Sequence, residues 1–252
     1  MINPELRKPA AAGSFYPKEK EELLSLLEEL YKISAEKPVE RGAYILIVPH
    51  AGYIFSGQVA MTGFLSIEPP KNTTFLLIGP SHYYPLRSLA GTDFRFWETP
   101  LGKAEVLSLK ALPVFNEAHI PEHSLEVEIP FLQFLFGKIK IIPILVGYHL
   151  QASEKNLLLS ALENHPLIIS SDFSHYLPYE EARIRDNETI GKILAKEKIE
   201  SYEACGATAI NLGVEIAREL ELKPRLLEYL NSGDTFGDKN SVVGYASIAF
   251  YP

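Results

Sequence analysis

Apolar residues in this chain fall into short unbroken runs and longer helical stripes, and the two alternate. Runs cover residues 44–48, 73–78, 138–146 and 166–170, each bounded by turn or polar residues. Such a run reads as a strand buried on both faces. Pro143 inside the third run marks an edge position or a bulge. Stripes at helical spacing come between them. Leu23, Leu24, Leu27, Leu30 and Tyr31 share one face of residues 18–34. Val59, Ala60, Gly63, Phe64 and Ile67 share one face of a short helix after Gly57, stopped by Pro69 and Pro70. Leu157, Leu158, Ala161 and Leu162 point inward from residues 153–163.

Further helices are expected over 107–117, broken by Pro113, from about Ser124, over 179–196 and 206–220, and briefly near Glu200. Residues 87–106 read as short strands extending the sheet in antiparallel fashion, and 224–231 with 242–251 as two closing strands. Strand, helix and strand over 44–78 have the length of a βαβ unit, whose right-handed crossover makes the strands parallel. The fold expected is α/β: one domain over residues 1–252, with a mixed, largely parallel central sheet flanked by helices.

Polar residues just past these strands carry the chemistry. In open α/β sheets ligands sit beyond the carboxyl ends of the strands. His50, His82 and His175 each follow a buried run, in VPHAGY, GPSHYY and SSDFSHY. If the first two strands are neighbours, about 4.8 Å apart, both imidazoles can reach one ion at about 2.0–2.1 Å from each nitrogen. Asp172 either orients His175 as a general acid or base or caps the loop through backbone amides. His123 opens a helix, where a neutral imidazole can hydrogen-bond a ligand or serve as a cap. His119 and His165 sit in polar turns and read as solvated, and His149 as the start of a surface helix. Cys205 reads as a small buried hydrophobe or as a soft metal ligand.

Composition narrows the partners. The 252 residues carry 24 basic and 32 acidic side chains, a net charge of -8. That balance disfavours nucleic acid and anionic membrane surfaces. A single cysteine excludes an internal disulfide and fits a reducing, cytoplasmic setting. The first residues have no apolar core of a signal peptide, and no run approaches the length of a membrane span. The nucleophile elbow, phosphate loop, dinucleotide fingerprint, H-E-x-x-H and CxxC patterns are missing.

AAGSFYP, VPHAGYIFSG, GPSHYYPL, EHSLEVEIPFLQ, IIPILVG, SSDFSHY, ACG and SVVGYASIAFY follow in that order along nearly the whole chain. Together they resemble the Memo family, some of whose microbial members are described as protein B of a radical-SAM system. The resemblance implies a fold similar to the class III extradiol dioxygenases, which use non-haem iron(II). It places metal ligands on His50, His82 and Cys205, with Cys205 where the dioxygenases have a glutamate. It implies acid–base roles for His175, Asp172 and His123. It also implies a small-molecule or peptide ligand, a phosphotyrosine peptide in one member, contacted here by Phe15 and Tyr53. Thiolate in place of carboxylate is softer than the two-histidine, one-carboxylate oxygenase set, so copper or zinc competes with iron(II). The readings that follow are a metal-dependent redox protein, a binding module with a vestigial site, and a zinc hydrolase.

Overall fold

The computed structural model describes residues 5–68, 74–162 and 165–252. Its strands are β1 Leu6–Arg7, β2 Ile45–Val48, β3 Thr74–Pro80, β4 Phe96–Thr99, β5 Gly102–Val106, β6 Lys140–Val146, β7 Leu167–Ser170, β8 His175–Leu177, β9 Lys223–Asn231 and β10 Val242–Tyr251. Its helices are α1 Lys20–Ala35, α2 Tyr53–Phe64, α3 Asn116–His119, α4 Ile129–Phe136, α5 Ala152–Leu162, α6 Tyr179–Leu194, α7 Ala207–Glu219 and α8 Ser232–Thr235. A 3-10 turn, Glu126–Glu128, leads into α4. The expected proline stop at Pro69 and Pro70 lies outside the described residues. Among those described, no helix is long and apolar enough to cross a membrane.

One mixed sheet runs β1-β4-β5-β6-β3-β7-β2-β10-β8, with β9 on β10. Its centre, from β5 to β2, is parallel. Alternation along each central strand feeds two cores. Leu46 and Val48 face α1, α2 and α4 through Leu27, Phe64 and Phe131. Ile45 and Ile47 face α5, α6 and α7 through Leu158, Ile193 and Ile210. Both faces of β2 are therefore apolar, which is why its sequence reads as an unbroken run.

Several expectations change. The strands that end at His50 and His82 are parallel but not adjacent, because β7 lies between them. The helix after β2 begins at Tyr53 rather than after Gly57, with Gly52 as its cap. The helix over 107–117 does not form. Leu107 donates to Ile141 O, continuing the ladder past β5, and Gly91 bridges Val114, so only Asn116–His119 is helical. Near Glu200 there is a turn. The strand β6 is interior, although its proline is placed as an edge residue would be. Ile141 O meets Leu107, Leu145 exchanges bonds with Ala90, and Pro143 falls between them on that same side, where neither contact needs its missing N–H.

The N-terminal arm is anchored far from its own sequence neighbourhood. Arg7 is fully buried and its Nη1 lies 2.6 Å from Glu126 Oε2, also buried. Glu126 also accepts from the amides of Ala10 and Ala11, at 2.8 and 2.9 Å, and from the Tyr16 hydroxyl at 2.5 Å. The other Arg7 nitrogens meet the carbonyls of His119, Ile120 and Glu122. A buried charge pair is tolerable only when its remaining bonding capacity is filled in this way. His119 is part of the same anchor and is not solvated. It is fully buried, its Nε2 lies 3.1 Å from Ala90 O, and burial lowers it to about 4.

Glu126→Ala leaves Arg7 buried without a counter-charge, which is expected to cost about 3–5 kcal/mol, read from urea denaturation. His119 also makes a pH prediction. Its folded value of about 4 lies below the ordinary 6.5, so the unfolded chain binds the proton first and stability is lost as pH falls through that window. His119→Gln removes that contribution. Its stability difference from the parent should be constant above neutrality and shift in the variant's favour on acidification towards pH 4, as followed by denaturation midpoints.

Candidate metal centre

The ends of β2, β3 and β7 meet at one sheet edge, and the segment leading into α4 packs over them. Asp172, just past β7, is buried and accepts the backbone amides of His50 at 2.8 Å and Ala51 at 3.3 Å. This is the amide-capping arrangement, and it ties β7 to the turn after β2. Burial raises the Asp172 carboxyl. The loop with His175 is held by Asp186 of α6, which accepts the Ser174 amide at 2.9 Å and the Tyr229 hydroxyl at 2.8 Å.

Three imidazoles cluster here. Ring centroids lie 5.2 Å apart for His50 and His82, 5.4 Å for His50 and His123, and 4.7 Å for the stacked pair His82 and His123. One nitrogen from each lies within 4.8 Å of the others, close enough for the three to hold a metal ion. Phe15 stacks on the outer face of His123 at 4.3 Å.

Each histidine of the strand-end pair has its Nδ1 engaged. His50 Nδ1 is 2.7 Å from Ser170 Oγ, and His82 Nδ1 is 2.9 Å from Glu122 Oε1. That leaves Nε2 of each as the atom that could coordinate, the usual arrangement when an outer partner fixes the ring of a ligand histidine. Glu122 is buried and also accepts the amides of His82, His123 and Ser124. Burial alone would raise its carboxyl, but the hydrogen bond and charge of His82 and the amides hold it at about 2. Burial first, then the neighbouring rings, lowers His50 to about 3 and His123 to about 4. Neutral imidazoles keep a lone pair for a metal. His123 Nδ1 is buried with no hydrogen-bond partner, although Glu122 Oε1 is 3.4 Å away.

Cys205 stands beside this group. Its Sγ is 3.3 Å from His50 Nε2 and 3.3 Å from the Asp172 amide. Burial first, then the charge of Asp172, pushes the thiol up to about 12. A close approach sets its position: a Cβ on Gly206 would lie 2.7 Å from Ser171 Cβ, and the Gly206 amide donates to Ser171 Oγ at 2.9 Å. Glu203 faces away from the pocket and pairs with Lys192 at 2.9 Å.

A cavity of about 760 Å³ opens onto these groups, lined also by Phe15, Phe55, Tyr83, His175, Tyr176 and Phe236. His175 is exposed and its Nδ1 lies 2.7 Å from Phe173 O, so that nitrogen donates and Nε2 is left as an acceptor. Tyr53 is behind the wall. It is buried, its hydroxyl donates to Val127 O at 2.6 Å, and its amide donates to Phe15 O at 2.8 Å. It therefore holds Phe15 in place, and Phe15 reaches the cavity.

The apolar runs point to the histidines that follow them, whereas Ser170, Glu122 and Glu128 are not singled out. Ser170 is the last residue of an expected strand, and no role is expected of the glutamates. Their signal was a set of acids alternating with apolar residues in EHSLEVEIP.

Comparison with known proteins gives the family. The Memo profile, described as Memo-like protein, matches residues 7–249. A MEMO1 family protein of Pyrobaculum arsenaticum is 36% identical over 279 residues, covering 98% of this chain and 99% of its own. One of Aquifex aeolicus is 37% identical, covering 97% and 99%. One of Archaeoglobus fulgidus is 35% identical, covering 97% and 99%. With its strand-end histidines gathered at one sheet edge and its whole length matched, the chain belongs to the Memo family.

Proposed function

We propose that this pocket holds a redox-active metal, iron(II) or copper, and does oxidative chemistry on a small molecule or peptide. The observation that carries the reading is the engagement of both Nδ1 atoms, on His50 and His82, which turns two Nε2 lone pairs to one cavity. The residues present suit such an ion. The orphaned Nδ1 of His123 and the Sγ of Cys205, beside His50 Nε2, are further donors at the site. Cys205 is the third ligand in this proposal, its proton displaced on metal binding. Zinc is the competitor for such a nitrogen and sulfur set.

The bound ion would supply a Lewis-acidic, electron-accepting centre. The protein's own groups do the rest. The Nε2 of His175 accepts a proton from a ligand hydroxyl, because Phe173 O fixes the opposite tautomer. Asp172 keeps the loop ends together. Phe15 gives a ring face for stacking.

A binding module without turnover is favoured by one observation. Among the described residues, the group able to hold a metal is three histidines, with no carboxylate among them. Oxygen uptake with catechol-type substrates separates the readings. Turnover that His175→Ala abolishes while metal is retained is expected for the enzyme; no turnover by metal-loaded protein is expected for the module.

Protein purified without oxygen should carry metal, and His50→Ala should lose it. Unchanged metal stoichiometry in that variant would reject the site. Glu122→Gln should weaken metal affinity by about ten- to a hundredfold, because it replaces the carboxylate that orients His82. Titration of metal-free protein with cobalt(II) reads that change directly.

A further inference from the structure

Behind His50, one serine hydroxyl is shared by three groups. Ser170 Oγ lies 2.7 Å from His50 Nδ1, 2.6 Å from Ser124 O and 2.9 Å from Glu128 Oε1. All four residues are buried. A hydroxyl has one proton to give and two lone pairs to receive with. Ser124 O is a carbonyl and can only accept. The Ser170 proton therefore goes to Ser124 O, since otherwise two oxygens would face each other at 2.6 Å with no hydrogen between them. His50 Nδ1 and Glu128 Oε1 are then left as donors to the two lone pairs. For His50 this is the tautomer already required, with Nε2 open to the cavity. For Glu128 it requires a proton on the carboxyl.

We infer that Glu128 is held as a neutral carboxylic acid and acts as a positioning residue, donating to the Ser170 hydroxyl that receives the ring N–H of His50. A second observation agrees. Glu128 Oε2 is buried without a hydrogen-bond partner. As the carbonyl oxygen of a neutral acid this costs less than as half of an ionised carboxylate, which would leave charge buried and uncompensated. Burial raises the Glu128 carboxyl well above its ordinary range, in the same direction. The two strand-end histidines thus have unlike backing. Behind His82 stands the Glu122 carboxylate in direct contact, and behind His50 stands an uncharged acid one hydroxyl away. The Ser170 proton secures Ser124, and with it the segment that carries Glu122 and His123, against the end of β7.

Two measurements test this. Infrared spectra of the metal-free native chain, with and without carbon-13 glutamate, should show a protonated carboxylic-acid band at neutral pH that moves with the label. The label separates it from Asp172 and Asp186, whose carboxyls are also raised. The band should vanish in Glu128→Gln and persist in Glu122→Gln. Absence of a labelled band in the native chain overturns the proposal, and that arm needs no variant to fold and no metal to bind. The second arm rests on the metal reading. In cobalt(II) titrations Glu128→Gln, which keeps a donor to Ser170 and changes no charge, should leave affinity within about twofold, against the ten- to hundredfold loss expected for Glu122→Gln. Nitrogen-15 spectra should show the His50 ring tautomer unchanged. Loss of affinity in Glu128→Gln equal to that in Glu122→Gln, or a changed His50 tautomer, overturns it. Failure of the native chain to bind cobalt rejects the metal site and leaves the infrared result to stand or fall by itself.

Discussion

The end of β7 is the constraint on which the site depends. Its last residue, Ser170, bonds the ring of His50, and Asp172 beyond it accepts the amides of His50 and Ala51. Cys205 is fixed from the same short segment, through the Asp172 amide and carbonyl and the Ser171 hydroxyl. Since β7 lies between β2 and β3, the segment SSDFSH sits directly beneath the two histidines that those strands deliver. A bulkier residue at 170 would occupy the space from which the His50 ring is now hydrogen-bonded. Ser171 instead packs against Gly206, whose amide donates to its hydroxyl.

The second support comes from the segment 122–128, which supplies three buried glutamates with three different tasks. Glu122 takes the ring and backbone of His82. Glu126 takes the arm through Arg7, Ala10, Ala11 and Tyr16. Glu128 reaches Ser170. A buried carboxyl needs donors or a proton. The first two have donors in plenty, and the third has one neighbour and an orphaned oxygen. The arm matters to the pocket because it carries Phe15, which stacks on His123. Charge deep in the fold at Arg7 and Glu126 is thus connected to the shape of the cavity wall.

Much of this was legible in the residues. The central strands are buried on both faces, so their apolar runs were unbroken and easily seen, and the histidines that follow them stood out as polar residues at strand ends. Strand order was not legible, because local pattern fixes that β2 and β3 are parallel but not what is inserted between them. The stretch 107–117 has apolar spacing that suits a helix, yet ladder contacts from Leu107 and Val114 made it extended. His119 looked solvated because its burial depends on Arg7, more than a hundred residues away in sequence. The same is true of Glu126. A lone cysteine has no pattern of its own, so only the family resemblance chose between the two readings of Cys205, and the fold places its sulfur beside His50 Nε2.

The central claim is that the Nε2 atoms of His50 and His82 share one metal ion at the sheet edge. Anomalous diffraction from crystals of metal-loaded protein, recorded on both sides of the metal's absorption edge, tests it most directly. The account predicts a single strong peak between those two nitrogens, with Nδ1 of each ring still on Ser170 and Glu122. A peak elsewhere in the molecule, or rings turned so that Nδ1 meets the metal, would contradict it.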